Sequence, residues 1–317
     1  MKSTEELREL YESQLKPALE AIEGQRKSIL IKYAISIIGA LGAFAVAFFF
    51  SEKYIFVFYL SIAAILGLGA YMFFVVTKEK KAYREMYKQN VVKQIVHLIN
   101  PDWNYDPNGR ISSSNYRNSE LFNRSWDKYE GDDLVSGAID KTDFRFSELH
   151  TQYKTITTDS DGNREEEWHT IFKGLFAHAD FNKEIKGRTF VLPERASKQI
   201  KEVGSTGRTK LVKLENPEFE KIFKVFSTDQ IESRYILTPT MMESIVNIHK
   251  KYKKRVYFSF IGSRVYVAMS FNKDLFEPRI LKSGVRFEDM EQMNDNFSLI
   301  QVIINEMNLN TRIWTKD

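Results

Sequence analysis

The sequence predicts a membrane-anchored α+β protein, with an N-terminal transmembrane helical hairpin and helical stalk followed by a mixed cytoplasmic α+β domain. Three observations predict this. Residues 33–50 and 54–77 hold no charge, and only Ser51, Glu52 and Lys53 separate them. Apolar stripes at helical spacing flank both runs. Beyond residue 100, strand patterns come in consecutive runs rather than alternating with helices, which argues against a doubly wound sheet. The expected organisation is a cytoplasmic amphipathic helix over 1–32, the hairpin over 33–77, a cytoplasmic stalk helix over 78–100 and the α+β domain over 101–317.

At helical pitch the first uncharged run rises about 27 Å and the second about 36 Å. Both lengths suit the hydrocarbon core of a bilayer, where helices satisfy their own backbone groups. The first run begins after 32 residues rich in charge and is followed at once by a second, which does not describe a signal peptide. Lys16, Arg26, Lys27 and Lys32 lie upstream; Lys78, Lys80, Lys81, Arg84, Lys88 and Lys93 lie downstream. The positive-inside rule therefore places both termini in the cytoplasm. Lys78, Lys80, Lys81, Arg84 and Lys88 are also the candidate membrane-surface residues, placed to meet anionic headgroups. Gly39, Ala43 and Ala47 form one row of small residues, and Ala63 and Gly67 another, each suited to close helix packing. Neither run carries a charge for a proton relay or ion path, so the hairpin reads as an anchor.

Ser3 and Glu6 have the spacing of a capping box. Leu7, Leu10, Tyr11, Leu15, Ala18, Leu19 and Ile22 then form an apolar stripe, with Pro17 and Gly24 as kink points. After the second run, Tyr83, Met86, Tyr87, Val91, Ile95 and Leu98 form a matching stripe that Pro101 ends. Two such helices leaving one hairpin are expected to pair as an antiparallel stalk of coiled-coil type.

Residues 100–110, rich in Pro, Asp, Asn and Gly, read as a linker. A short helix is expected over 115–123 and strands over 134–139, 143–157, 168–181 and 188–192. A helix over 193–203, a strand over 209–214 and a helix over 218–225 follow. Thr238 and Pro239 form an N-cap and first-turn pair that opens a helix through 251. Strand patterns over 255–261 and 264–271 flank Gly262-Ser263, a two-residue hairpin signal. Met290, Met293, Phe297, Ile300, Ile304 and Met307 share one face of a final helix, expected to pack on a sheet.

Composition narrows the chemistry. The chain has 317 residues and no cysteine, which removes disulfides, thiolate metal sites and a cysteine nucleophile. Residues 1–100 carry 13 Lys/Arg against 9 Asp/Glu, leaving 33 of each in 101–317. That electrical balance argues against a nucleic-acid partner. No cofactor motif is present. Residues 204–210 (GSTGRTK) lack P-loop spacing and join a helix to a strand, so no helix N-terminus faces a phosphate there. Residues 159–163 (DSDGN) resemble part of a calcium loop, but Trp168 stands where the bidentate Glu is required. One constellation has metal or acid–base potential. Glu148 and His150 share a face of one expected strand, and His178 and Asp180 share a face of another. In a suitable register the four would converge. Asp229, Glu232 and Arg234, beside Tyr235, read as a buried or interfacial Arg held by a carboxylate, with a binding-site Arg as the alternative.

The stretches 172–182 (FKGLFAHADFN) and 225–239 (VFSTDQIESRYILTP), with Gly131-Asp132-Asp133 and 258–262 (FSFIG), resemble the bacterial membrane-protein family "domain of unknown function 3137". The resemblance implies a bacterial source, a cytoplasmic-membrane location and an N-terminal transmembrane pair. It supplies no activity and no catalytic residues, and it suggests a LemA-type membrane protein as a partner.

The leading functional expectation is a non-enzymatic, membrane-anchored interaction or scaffold module that binds a protein partner or itself. A membrane-tethered hydrolase or metal-dependent enzyme using Glu148, His150, His178 and Asp180 stays open, as does an anionic-lipid-binding domain.

Overall fold

Two long helices, α1 (Glu5–Phe50) and α2 (Ile55–Ile99), open the computed structural model, which describes residues 4–50, 53–158, 164–205 and 207–307. Ser3 of the capping box, Ser51 and Glu52 of the hairpin turn, and the calcium-like residues 159–163 lie outside the described residues. Both helices are long and apolar enough to cross a membrane, and their most apolar stretches are only 6% and 11% buried. The chain divides into two units, Met1–Leu98 with Phe276–Asn294 and Ile99–Leu275 with Asp295–Asp317. The segment Phe276–Asn294, expected with residues 101–317, thus belongs with the helical hairpin.

In the first unit the helices run antiparallel. Lys32 pairs with Glu79. Gly39 faces Leu68 so closely that an added Cβ would lie 3.1 Å from Leu68 Cδ1. Gly67 meets nothing within 4 Å, so the Ala63/Gly67 row does not make the close contact its spacing suggested. Within the apolar stretches Ser36 and Ser61 are buried instead. Three π-turns interrupt the helices, at Tyr11–Leu15, Met72–Val76 and Lys88–Val92. The first lies where Pro17 lacks an N–H and its ring crowds the carbonyl of Ser13. Gly24 causes no break, and α1 continues through it.

The segment Phe276–Asn294 is fastened to this hairpin by specific contacts. Phe287 lies edge-on to Tyr11 at 5.7 Å and under the Arg8 guanidinium at 4.6 Å. Arg26 pairs with Glu23 at 2.7 Å and donates to the Ile280 carbonyl at 2.6 Å. Glu277 receives Arg84 at 2.5 Å and Lys88 at 2.9 Å.

The second unit is built on seven strands: β1 (Asn104–Asp106), β2 (Lys128–Ile139), β3 (Thr142–Thr158), β4 (Arg164–Pro193), β5 (Lys210–Val212), β6 (Phe223–Ser227) and β7 (Val256–Ser270). Its helices are α3 (Ser113–Asn118), α4 (Ser197–Ser205), α5 (Pro217–Ile222), α6 (Gln230–Ile236) and α7 (Pro239–Tyr252). Helix α8 (Phe287–Glu306) joins this unit from residue 295 onward. All pairings are antiparallel, in the order β1-β2-β3-β4-β6-β5, with β7 along β4. The protein is therefore α+β, as its strand runs indicated.

Three expectations are corrected. Residues 168–181 and 188–192 are not separate strands but parts of β4, bent between Asp180 and Arg188. Glu232 holds the bend by accepting from the backbone N–H of Lys186 at 2.9 Å and Gly187 at 2.8 Å. The helix expected over 218–225 stops at Ile222, and Phe223–Ser227 pairs with β4. Gly262-Ser263 does not turn a hairpin. Strand β7 runs straight through, and both its halves pair with β4 on either side of the bend. Gly262 takes φ +62 where β7 bulges to follow its neighbour.

The two sheet faces bury different cores. One face carries Leu149, Phe172, Phe176 and Phe190 beneath Ile111, Tyr116, Leu121 and Phe122. The irregular cover is anchored by Ser147 Oγ accepting from Ile111 N–H at 3.1 Å and by Tyr116 hydrogen-bonded to Thr151 at 3.0 Å. The other face meets the later turns of α8, where Phe297 packs on Phe146 and Tyr105.

Gly174 marks the tightest backbone approach. It holds φ +148, and an added Cβ would stand 2.1 Å from the Met269 carbonyl oxygen. Gly207 has φ +67 but open space around it. Gly174→Ala is expected to cost at least about 3 kcal/mol, and Gly207→Ala only about 1 kcal/mol. Urea denaturation followed by tryptophan fluorescence reads both; equal losses would refute the close-approach account.

Candidate functional site

The register between β3 and β4 decides the fate of the His/carboxylate constellation. Arg145 lies opposite His178, Glu148 opposite Leu175 and His150 opposite Lys173. Directly opposed residues share a face, and neighbours along a strand alternate. Glu148 and His150 therefore point to the α8 side, whereas His178 and Asp180 point to the Tyr116 side. The four residues do not converge, and the enzyme reading built on their meeting loses its geometry.

Glu148 is 8% exposed, and its Oε1 accepts from the Leu275 N–H at 2.6 Å. Burial, with the nearby charge of Asp133 next in weight, pushes its pKa up to about 8. Asp133 is fully buried, and its Oδ1 accepts from the Tyr105 hydroxyl at 2.5 Å. A neutral Glu148 resolves the conflict of two carboxyl groups sharing a buried site. With the Leu275 N–H donating to one and the Tyr105 hydroxyl to the other, the two read as a structural carboxyl pair. His150 lies at its edge, 3.1 Å from Thr170 Oγ1, with its pKa lowered by burial and then by Lys173.

His178 has a different setting. It is 7% exposed, and burial followed by Arg264 and Arg145 lowers its pKa to about 4. Arg264 Nη1 stands 3.5 Å from His178 Nδ1 and 3.5 Å from Asn115 Oδ1. A guanidinium only donates, so Nδ1 is the acceptor and the proton sits on Nε2. The surrounding polar cleft, of about 770 Å³, also holds Arg145, Asp143 and Asp180. Two Arg and two Asp balance it, with the neutral imidazole among them.

The candidate membrane-surface residues separate into two groups. Lys78, Lys80 and Lys81 are exposed and make no side-chain pair among the described residues. Arg84 and Lys88 both pair with Glu277; Lys88 is only 3% exposed and is corrected to a packing residue, whereas Arg84 stays exposed. A buried ammonium requires such a partner. Among the described residues no carboxylate holds Arg234, which donates to the carbonyls of Gln230 and Lys213, while Asp229 caps α6. Of the glycine-rich stretch, Thr206 lies outside the described residues. The rest joins the end of α4 to β5, so no helix N-terminus faces it.

The family described as "Protein of unknown function (DUF3137)" matches residues 170–309, which bears out the resemblance seen in 172–182 and 225–239. No curated protein matches. A solved structure, "crystal structure of the mycobacterial trehalose monomycolate transport factor A, TtfA", is 10% identical, over 66% of this chain and 92% of that chain, with a TM-score of 0.33. At that score the likeness says nothing of this chain's role.

The raised pKa of Glu148 has a definite sign. The folded state holds the proton between the usual 4.5 and about 8. Its contribution to stability is fully present below the lower value and is lost as pH rises through the upper one. Glu148→Gln keeps the acceptor for Leu275 and cannot ionise. Its thermal midpoint, relative to the parent, is expected to rise between pH 5 and pH 9; a constant difference would show that Glu148 is ionised throughout.

Proposed function

We propose that the chain is a membrane-anchored interaction module with both termini in the cytoplasm. The observation that carries this reading is the unburied apolar surface of the helical hairpin. Ile38, Phe48, Phe49, Leu60, Phe73 and Phe74 are each 67% exposed or more. Water would penalise so large a contiguous apolar surface, and lipid would not. The basic flanks on the side away from the turn support the cytoplasmic orientation. An interaction role is supported by the dispersal of the four candidate catalytic residues and by a polar cleft around His178. The partner is a protein, either a second copy or a LemA-type membrane protein.

A lipid contact has its own support in Lys78, Lys80 and Lys81, which stand exposed just beyond the second apolar stretch. Each such residue contributes about 1 kcal/mol near an anionic leaflet. This contact adds to anchoring rather than replacing the interaction role.

The absence of native cysteine makes the topology directly testable. In intact cells a membrane-impermeant maleimide is expected to label Lys53→Cys, and Asn108→Cys only after permeabilisation. Labelling of Lys53→Cys only after permeabilisation would overturn the orientation. In mild detergent the parent protein is expected to run as a defined complex with itself or with the LemA-type protein. A lone monomer would overturn the interaction reading.

A further inference from the structure

Positive charge in the second unit is concentrated where no helix, strand or ion-pair requirement accounts for all of it. A groove of about 750 Å³ is lined by Arg195, Lys221, Lys250, Lys253, Lys254 and Arg255, with Glu194 as the one carboxylate among its lining residues. The cations come from the turn after β4, helix α5, the last turn of α7 and the link between α7 and β7. Residues 101–317 as a whole carry no net charge, so this local excess is not a property of composition.

Few of these charges are neutralised. Lys250 pairs with Glu218 at 2.6 Å, and Glu194 is taken by Lys224 at 3.2 Å. Lys254 lies 5.5 Å from the Phe271 ring. Arg195, Lys221, Lys253 and Arg255 are exposed and make no side-chain hydrogen bond or ion pair among the described residues. The negative end of α7 accounts for basic residues in its last turn. It does not account for Arg195 and Lys221, which arrive from other elements.

Backbone conformation supplies a second, independent observation. Lys253 is the C-cap of α7 and holds the left-handed conformation, φ 51 and ψ 37. Glycine is the usual residue at such a helix end because it bears no penalty there. Lys253 holds that conformation, at a cost in backbone strain, and lines the groove. His249 stabilises the turn: its Nδ1–H donates to the Lys254 carbonyl at 3.0 Å.

We infer that this groove binds a small phosphate-bearing anion with two or more negative charges. Such a ligand would relieve the mutual repulsion of the cations and receive charge-assisted hydrogen bonds from lysine and arginine together. The volume suits a compound of nucleotide or headgroup size. Either a soluble phosphate ester or the headgroup of an anionic lipid has the required chemistry.

The test uses the full chain in nanodiscs of zwitterionic lipid. Pyrophosphate is titrated by calorimetry in one arm and dioctanoyl phosphatidic acid in the other. Saturable binding in the first arm identifies a soluble ligand class; binding in the second arm alone identifies a headgroup. In whichever arm binds, Arg195→Ala and Lys253→Gly are each expected to weaken affinity about tenfold, the loss of one charge-assisted hydrogen bond. Lys253→Gly is also expected to keep or raise the thermal midpoint, which separates lost binding from lost folding. No binding in either arm, or binding unchanged in both variants, would overturn the inference.

Discussion

Strand β4 is the constraint on which the second unit depends. Its 30 residues pair with β3 and then β6 along one edge and with β7 along the other. Once its backbone is placed, the facing of every neighbouring side chain follows. Its bend between Asp180 and Arg188 lets one strand serve two pairing partners on the same edge. The bend leaves backbone donors without ladder partners, and Glu232 with Thr228 accepts from them. At Gly174 the chain approaches β7 too closely for any side chain. The carboxylate thus lets a single strand turn without losing its hydrogen bonds, and the glycine lets it lie close against β7.

Buried charge follows the same economy. Burial, and then the charge of Asp133, pushes the Glu148 pKa up to about 8. Lys88 in the first unit is buried against Glu277, where an unpaired ammonium would be far more costly. His178 stays neutral between Arg145 and Arg264. Glu148 and Lys88 look functional as titratable groups, yet burial against their neighbours accounts for both. Among the described residues that line the basic groove, Arg195, Lys221, Lys253 and Arg255 are exposed and unpaired.

Much of the architecture was legible in local pattern. The uncharged runs identified the two long helices. Thr238 before Pro239 marked the start of α7, and Thr238 Oγ1 does accept from Met241 N–H. The late apolar positions anticipated α8, with Phe297 on the sheet. What local pattern misjudged was punctuation. Gly262-Ser263 has the composition of a hairpin turn, but a long partner strand lay alongside, and glycine instead absorbed a bulge. Gly67 has the spacing of a packing residue, but helix rotation turned it away from its partner and left Gly39 against Leu68.

By itself the sequence determined the type of the long elements, the apolar length of the hairpin and the overall charge balance, because these are read from residue identity and short-range spacing along the chain. Only the tertiary structure decided the candidate site. A one-residue choice of register sent Glu148 and His150 to one face and His178 and Asp180 to the other, since side chains alternate along a strand. The basic groove was equally hidden. Arg195, Lys221 and Lys253 are far apart in the chain, and only the fold brings them to one concavity. Composition reports a sum of charges, whereas binding depends on where in space they meet.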